Sequence, residues 1–211
     1  MTIKSLHTTL LFSFILSFCS ISCNRTAEGF TAEELTIIND ADSLMRVLTI
    51  DNQADSAVLR TPSTDLPFEA LLSADFSRLA ELMITTVTHP SQDGVGIAGP
   101  QVGLNRRVVA VQRFDKEPVE WNGKVDHPFE VYPNVRIVWS SDSQTVGPEG
   151  CLSVPNRRED VMRAQEIVIE YASIDTEEKV TMVKDTIKGF TAVIFQHEID
   201  HLDGLLYIDR L

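Results

Sequence analysis

The stretch Gln196-His197-Glu198-Ile199-Asp200-His201 lies near the end of the 211-residue chain. Apolar residues precede it at helical spacing and Gly204 follows it, so we predict one helix, with a face made by Phe190, Val193, Ile194, His197 and His201. Imidazoles at positions i and i+4 project from the same helix face and can bind one metal ion. Glu198 stands beside them, where a carboxylate can accept the proton of a metal-bound water and later return it.

An alternative for this stretch is a surface helix that carries two histidines and an acid by coincidence. Because Val193 and Ile194 share the histidine face, we expect that face to be buried. Buried neutral imidazoles need partners, and a metal ion supplies them.

Two histidines leave a catalytic metal site one protein ligand short. Cys151 is a candidate for the third ligand, since it lies in the extended, glycine-flanked segment Glu149–Pro155. The alternative is that this thiol is simply a small buried apolar side chain, which is the common fate of a lone cysteine.

A glycine-rich segment, Gly94–Gly103, forms the third candidate element. Its glycines allow close approach to a substrate backbone, and Gln101 offers an amide donor to a developing oxyanion. The segment lacks the Gly-Lys-Ser/Thr ending of a phosphate-binding loop. We predict the whole stretch Ser91–Gly103 to be a loop.

The remaining pattern predicts an α+β fold, with antiparallel or mixed β-sheets packed around the C-terminal His-Glu-x-x-His helix. A helix over residues 75–88 is expected, capped by Ser73 or Asp75. Apolar and β-branched runs predict strands at Val108–Val111, Val131–Trp139, Ile167–Tyr171 and Val180–Val183.

The N-terminal residues 1–23 have the pattern of a signal peptide, with Lys4 ahead of a short apolar run. Cys23 lies where a bacterial lipoprotein signal is cut and lipidated, so we expect an exported, membrane-anchored lipoprotein. Simple secretion is one alternative, and a cytoplasmic protein whose signal is not used is another. The apolar run is about half the length of a membrane-spanning helix. Residues 24–45 are interpreted as a linker leading into an irregular arm, and residues 46–211 as the folded domain.

The charge of the chain excludes one class of partner. Lys and Arg number 18 against 31 Asp and Glu, which gives a net charge of −13. Nucleic-acid binding lacks the basic surface that it requires. The sequence does not indicate an oligomeric state.

The three segments, in this order, resemble the motifs of the peptide deformylase family. These motifs are a Gly-x-Gly-Φ-Ala-x-x-Gln-x-Gly loop, a Glu-Gly-Cys-Leu-Ser segment and a Gln-His-Glu-x-Asp-His-Leu helix. The resemblance extends from about Val47 to Leu211 and includes Val58-Leu59-Arg60, Arg158 and Arg163.

The resemblance implies a role for each motif residue. Cys151, His197 and His201 would bind the metal, and Glu198 would be the acid/base. The Gln101 side chain and the Leu152 backbone N–H would stabilise the oxyanion, with Gly96 and Arg158 holding the substrate. The implied reaction is removal of the formyl group from an N-formyl-methionyl peptide, the N-terminal modification that belongs to protein biosynthesis. The implied cofactor is one iron(II), while zinc, nickel and cobalt suit the same ligands.

An export signal conflicts with this reaction, since formylated amino termini arise on ribosomes in the cytosol. We therefore expect a lipid-anchored enzyme that acts on formyl peptides outside the cytosol. Two alternatives stay open at this point. One is an exported metallopeptidase-like amide hydrolase, which Cys151 as third ligand disfavours. The other is an inactive metal-binding lipoprotein, which the presence of Glu198 and Gln101 disfavours.

Overall fold

The computed structural model of the protein describes residues 29–121 and 123–211. The predicted signal peptide, residues 1–23, and the predicted lipidation site Cys23 lie outside the described residues. Within the described residues, no helix is long and apolar enough to cross a bilayer.

The described part of the chain begins with four helices, continues with ten β-strands and ends with one further helix and a 3₁₀ turn. Its α-helices are α1 (Ala32–Asp40), α2 (Gln53–Leu59), α3 (Phe68–Leu71), α4 (Ala74–Thr88) and α5 (Gly189–Leu202). Its strands are β1 (Gly96–Ala98), β2 (Val108–Gln112), β3 (Val119–Trp121), β4 (Lys124–Asp126), β5 (Phe129–Pro133), β6 (Arg136–Ser140), β7 (Gln144–Cys151), β8 (Val154–Ala164), β9 (Glu166–Ile174) and β10 (Val180–Lys188). Two 3₁₀ turns occupy Gly99–Val102 and Tyr207–Arg210.

The strands form antiparallel sheets in the orders β1-β2-β5 and β10-β9-β6, with β3-β4 and β7-β8 as two-stranded hairpins. The predicted α+β class with antiparallel sheets is therefore confirmed. The long β7-β8 hairpin pairs Gln144 with Ala164 at one end and Cys151 with Val154 at the other.

Strand β2 is buried on both of its faces. Val108 and Ala110 pack into the apolar cluster that contains α4, and Val109 and Val111 pack into the cluster that contains α5. Alternate residues of a strand point to opposite faces, so a strand covered on both sides reads as an unbroken apolar run. The sheet that contains β2 thus lies between α4 and α5, and most residues of α5 are buried.

The helix predicted over residues 75–88 is confirmed as α4. Ser73 is its N-cap, because the Ser73 Oγ accepts a hydrogen bond from the Phe76 backbone N–H at 3.1 Å. The helix predicted around His197 is α5, and Gly204 follows it in the left-handed conformation with φ +75°.

The prediction of an irregular arm is wrong for the described residues 29–45. Residues 32–40 form α1, and its first turn is closed by a capping box between Thr31 and Glu34. Ile38 is fully buried in the cluster around α4. The segment is therefore part of the core, because the capped helix presents Ile38 to it and the half-buried Ile37 packs against the same cluster.

Two further boundaries differ from the sequence prediction. The strand predicted over Val131–Trp139 is divided into β5 and β6 by Asn134, which has φ +56°. Its side-chain amide exchanges two 2.8 Å hydrogen bonds with the backbone of Leu66, which stabilises the break. The stretch Ser91–Gly103, predicted to be a loop, contains β1 and a 3₁₀ turn, because Gly96–Ala98 pair with β2.

We predict that Leu79→Ala destabilises the fold by about 2–5 kcal/mol, because Leu79 is fully buried between α4 and the β1-β2-β5 sheet. Leu72→Ala is the matched control, since Leu72 is 47% exposed, and it should change stability by about 0.5 kcal/mol or less. Chemical denaturation of both variants measures the difference. Equal stability of the two variants would contradict this packing.

Candidate metal centre

Three side chains of the described residues converge between the β7-β8 hairpin and α5. The ligand atoms of Cys151, His197 and His201 all lie within 4.8 Å of one another, and Cys151 Sγ is 3.2 Å from His201 Nε2. His197 and His201 lie one helical turn apart on α5, as their spacing predicts. Cys151 comes from the end of β7, next to a register shift between Gly150 and Cys151. Such irregularities in a strand often redirect a side chain.

One oxygen of Glu149 fixes the orientation of the His197 ring. Glu149 Oε2 lies 2.8 Å from His197 Nδ1, so His197 Nε2 is the ring nitrogen left for a metal. Arg163 donates to both oxygens of Glu149, at 2.7 and 2.9 Å. Burial opposes the charge of Glu149, but the hydrogen bonds from Arg163 and His197 lower its pKa to about 2. Glu149 therefore stays an anion that holds the imidazole.

Glu198 lies in the same site, and one oxygen of its buried carboxyl group lacks a hydrogen-bond partner among the described residues. The residue is only 4% exposed, and the oxygen without a partner is Oε2. Burial raises the pKa of this carboxyl group to about 7, against the opposing charge of His197. A buried carboxyl oxygen without a partner is costly and often marks a functional group.

Gly96 allows β1 to approach Glu198 closely. A Cβ atom added at Gly96 would lie 2.5 Å from Glu198 Oε1, which is far inside van der Waals contact. Only glycine therefore lets strand and carboxylate share this space.

The Gln101 amide points its donor into the site. Its Oε1 accepts a hydrogen bond from the Ala98 backbone N–H at 2.8 Å, which fixes which end of the amide faces the metal ligands. Its Nε2 lies 3.3 Å from Ser153 Oγ and 3.6 Å from Cys151 Sγ. The orientation is that of a donor held ready for an oxygen atom near the cysteine.

A cavity of about 680 Å³ opens onto these groups. Its lining includes nearly every site residue that the sequence predicts: Gly96, Gln101, Cys151, Leu152, Arg158, His197 and Glu198. His201 is buried at 1% exposure and reaches the same point through its Nε2 atom. The structure thus brings the proposed metal, catalytic and substrate-binding residues into one place.

Glu149, its partner Arg163, and Ser153 also belong to the site, although their sequence positions predict no role there. Glu149 precedes Cys151 by only two positions in β7, and this closeness to a candidate ligand was the available signal. Its contact with His197 bridges 48 residues of sequence and could not be read from local pattern.

The donor set fits a divalent transition metal. One thiolate and two imidazoles suit iron(II), zinc, nickel or cobalt. Glu198 Oε2 is buried without a hydrogen-bond partner in the described part of the chain, so a cation beside it would compensate a carboxylate that the protein leaves unpaired.

Comparisons with known proteins agree with this geometry. The family model of polypeptide deformylase matches residues 45–211. The peptide deformylase of Leptospira biflexa is 33% identical over 169 residues, covering 80% of this chain and 88% of the relative. That of Rhizobium meliloti is 38% identical over 154 residues, covering 73% and 79%.

Solved structures show the same likeness in three dimensions. A class I type b peptide deformylase from Acinetobacter baumannii with Met-Ala-Ser bound has a TM-score of 0.66 and 29% identity, covering 81% of this chain and all of that one. The peptide deformylase of Thermotoga maritima has a TM-score of 0.63 and 28% identity, covering 80% and 97%.

Fold and site together define a metal-dependent amide hydrolase. The chain belongs to the peptide deformylase family, whose reaction is removal of the formyl group from N-formyl-methionyl peptides. This family membership favours the deformylase interpretation over a metallopeptidase.

We predict that His201→Ala lowers the affinity for a divalent metal ion by more than about 100-fold. Loss of a residue that only hydrogen-bonds a metal ligand costs roughly 10- to 100-fold, and loss of a ligand should cost more. The reason is that His201 supplies one of the three converging ligand atoms. His127→Ala is the control, since His127 lies outside the site on the β4–β5 connection. Competition with a chromophoric chelator measures both affinities, and equal affinities would contradict the site.

Proposed function

We propose that this peptide deformylase uses Glu198, Gln101 and Leu152 to hydrolyse a formyl-methionyl peptide held at Gly96 and Arg158. The observation that carries the proposal is the buried Glu198 carboxylate, which faces the cavity beside Cys151, His197 and His201. A residue that only supported the fold would be paired in such a position.

A divalent ion held by Cys151, His197 and His201 would lower the pKa of a water molecule and polarise the formyl carbonyl. We propose iron(II) as the native ion. Zinc, nickel and cobalt are the alternatives that the same ligand set supports.

Glu198 moves the proton. Its carboxylate accepts the proton of the attacking water and then delivers it to the nitrogen of the cleaved amide. Attack of the water oxygen forms the new C–O bond and a tetrahedral oxyanion, and the collapse of this oxyanion then breaks the C–N bond of the formamide. Water and formyl peptide thus become formate and a peptide with a free amino terminus. The close approach of Gly96 holds the carboxylate within reach of the substrate.

Gln101 and Leu152 stabilise the negative charge that develops on the formyl oxygen. The fixed orientation of the Gln101 amide turns its N–H donor toward Cys151, beside the metal ligands. The Leu152 backbone N–H follows Cys151 directly in the chain and borders the same cavity. Removal of one such donor typically costs about 100- to 1000-fold in rate.

The substrate backbone fits between two strand edges. Strand β1 lies at the edge of its sheet, and β7 belongs to a two-stranded hairpin, so an extended peptide can pair with both. Gly96 and Gly150 line this gap. The Arg158 side chain packs over Gly150, where an added Cβ would lie 3.3 Å from it, and this places its guanidinium at the cavity rim. The relative from Acinetobacter baumannii binds a Met-Ala-Ser peptide.

We also propose that the enzyme is an exported lipoprotein, anchored to the membrane through Cys23, that acts on formyl peptides outside the cytosol. The support is the sequence of residues 1–23, with Lys4 ahead of a short apolar run and Ser22-Cys23 after it.

We predict that Glu198→Gln lowers formate release from formyl-Met-Ala-Ser by about 100- to 10,000-fold, because the amide cannot carry the proton. Metal content should match that of the wild type. Glu81→Gln, on the exposed side of α4, is the control and should leave the rate unchanged. Formate is measured with a coupled dehydrogenase. A wild-type rate in Glu198→Gln would refute the assignment.

The export proposal predicts a mature chain that begins at a lipidated Cys23. Mass spectrometry of the protein purified from the membrane fraction measures this directly. Cys23→Ala should abolish the lipid adduct and leave an unprocessed chain. An unmodified chain that begins at Met1 in the cytosolic fraction would end the export proposal.

A further inference from the structure

A row of oppositely charged side chains leads from the C-terminal 3₁₀ turn toward the metal centre. Arg210 donates from Nη2 to Asp200 Oδ1 at 2.6 Å and from Nε to Asp200 Oδ2 at 3.1 Å. Asp200 Oδ2 also accepts from Arg163 Nη1 at 2.6 Å. Asp200 therefore joins two arginines from different parts of the chain.

The row continues from Arg163 to a proposed metal ligand. Arg163 donates to both oxygens of Glu149, and Glu149 Oε2 lies 2.8 Å from His197 Nδ1. Each contact in the row is shorter than 3.2 Å. Four hydrogen-bonded steps thus connect Arg210 with His197.

The charges of the row balance only when Arg210 is included. Asp200, Glu149 and Arg163 have side chains that are less than 10% exposed. These three groups alone amount to two carboxylates and one guanidinium. Buried charges need compensation, and Arg210 supplies the second positive charge directly on Asp200.

The turn that carries Arg210 is itself fixed against the site. Asp209 forms an ion pair with Arg60 and accepts a hydrogen bond from the Leu206 backbone N–H at 2.8 Å. The Tyr207 ring stacks on His197, with centroids 6.0 Å apart and planes at 22°. Arg210 is thus presented to Asp200 by a turn that is anchored at two other points.

We propose that Arg210 is a positioning residue for the metal centre. By neutralising Asp200, it leaves Arg163 free to hold Glu149 with two hydrogen bonds, and Glu149 keeps the His197 ring turned toward the metal. The inference rests on the metal site of the proposed function. The contacts of Arg210 in this row are with Asp200, so its effect passes through Asp200 to Arg163 and Glu149.

The test compares Co²⁺ affinity among variants of the full chain, measured by competition with a chromophoric chelator. Loss of a residue that hydrogen-bonds a metal ligand directly, as Glu149 does, costs about 10- to 100-fold in metal affinity. Arg210 lies three side chains beyond Glu149 in the row, so Arg210→Ala should cost less, about 3- to 10-fold. Arg210→Lys retains the charge at Asp200 and should recover most of the loss. Arg136→Ala is the matched control, because Arg136 is 41% exposed and pairs with exposed Asp65, while Arg210 is 45% exposed.

Two further measurements separate positioning from general stabilisation. Thermal unfolding of the metal-free protein should show a larger loss of stability in Arg210→Ala than in Arg136→Ala, because Asp200 is buried and Asp65 is exposed, so the affinities are compared at a temperature where every variant is folded. The thiolate-to-Co²⁺ absorption band should change only in Arg210→Ala. In the Asp200→Asn background, Arg210→Ala should produce no further loss of affinity, because the ion pair through which Arg210 acts is already removed.

The proposal is overturned if Arg210→Ala binds Co²⁺ within twofold of wild type, or if its effect persists in full in the Asp200→Asn background. These readouts do not involve formate release. A protein that bound Co²⁺ as described but released no formate would overturn the proposed function and leave the role of Arg210 standing.

Discussion

The burial of charged side chains against α5 is the constraint on which the site depends. Glu149, Glu198, Asp200 and His201 are all nearly inaccessible to solvent. Taking such groups out of water is unfavourable unless each finds a partner of opposite charge or a hydrogen bond. Glu149 and Asp200 find theirs in Arg163, whereas Glu198 Oε2 and His201 Nδ1 find none among the described residues. A cation beside Glu198 would compensate its carboxylate but would leave His201 Nδ1 without a partner, because the His201 ring faces Cys151 with its Nε2 atom.

The fold supplies the rigidity that this arrangement requires. Helix α5 is enclosed by the β1-β2-β5 sheet and by β-strands of the β7-β8 hairpin and the β10-β9-β6 sheet, so its two histidines cannot move apart. Strand β7 of the hairpin carries both Cys151 and Glu149 into the site, and β1 places Gly96 against the Glu198 side chain. The proposed metal ligands, the proposed acid/base and the proposed substrate edge therefore come from the β7-β8 hairpin, α5 and β1, which pack against one another.

Much of this site could be predicted from the sequence, because its key residues lie close together in the chain or at fixed spacing in a helix. The four-residue spacing of His197 and His201 determines their common face once a helix is assumed, and Gly204 marks its end. The order of the three motifs then supplied Cys151 and Gln101. The class of fold followed from a series of strands that precedes the final helix.

The features that escaped prediction depend on contacts distant in sequence. Asn134 breaks a strand because its amide bonds the backbone of Leu66, 68 residues away. The role of Glu149 requires knowledge of where His197 lies, and that of Arg210 requires both Asp200 and the turn around Asp209. α1 was missed for a different reason: its capping box is local, but a single buried residue, Ile38, gives it almost no periodic signal.

The central claim is that Cys151, His197 and His201 bind one divalent ion in this protein. X-ray absorption spectroscopy of the full chain loaded with one equivalent of cobalt(II) tests it most directly, because sulfur and imidazole ligands give distinct scattering. The account predicts one sulfur and two imidazole ligands, with the sulfur contribution lost in Cys151→Ser. A first coordination sphere of oxygen and nitrogen alone in the wild-type protein would contradict it.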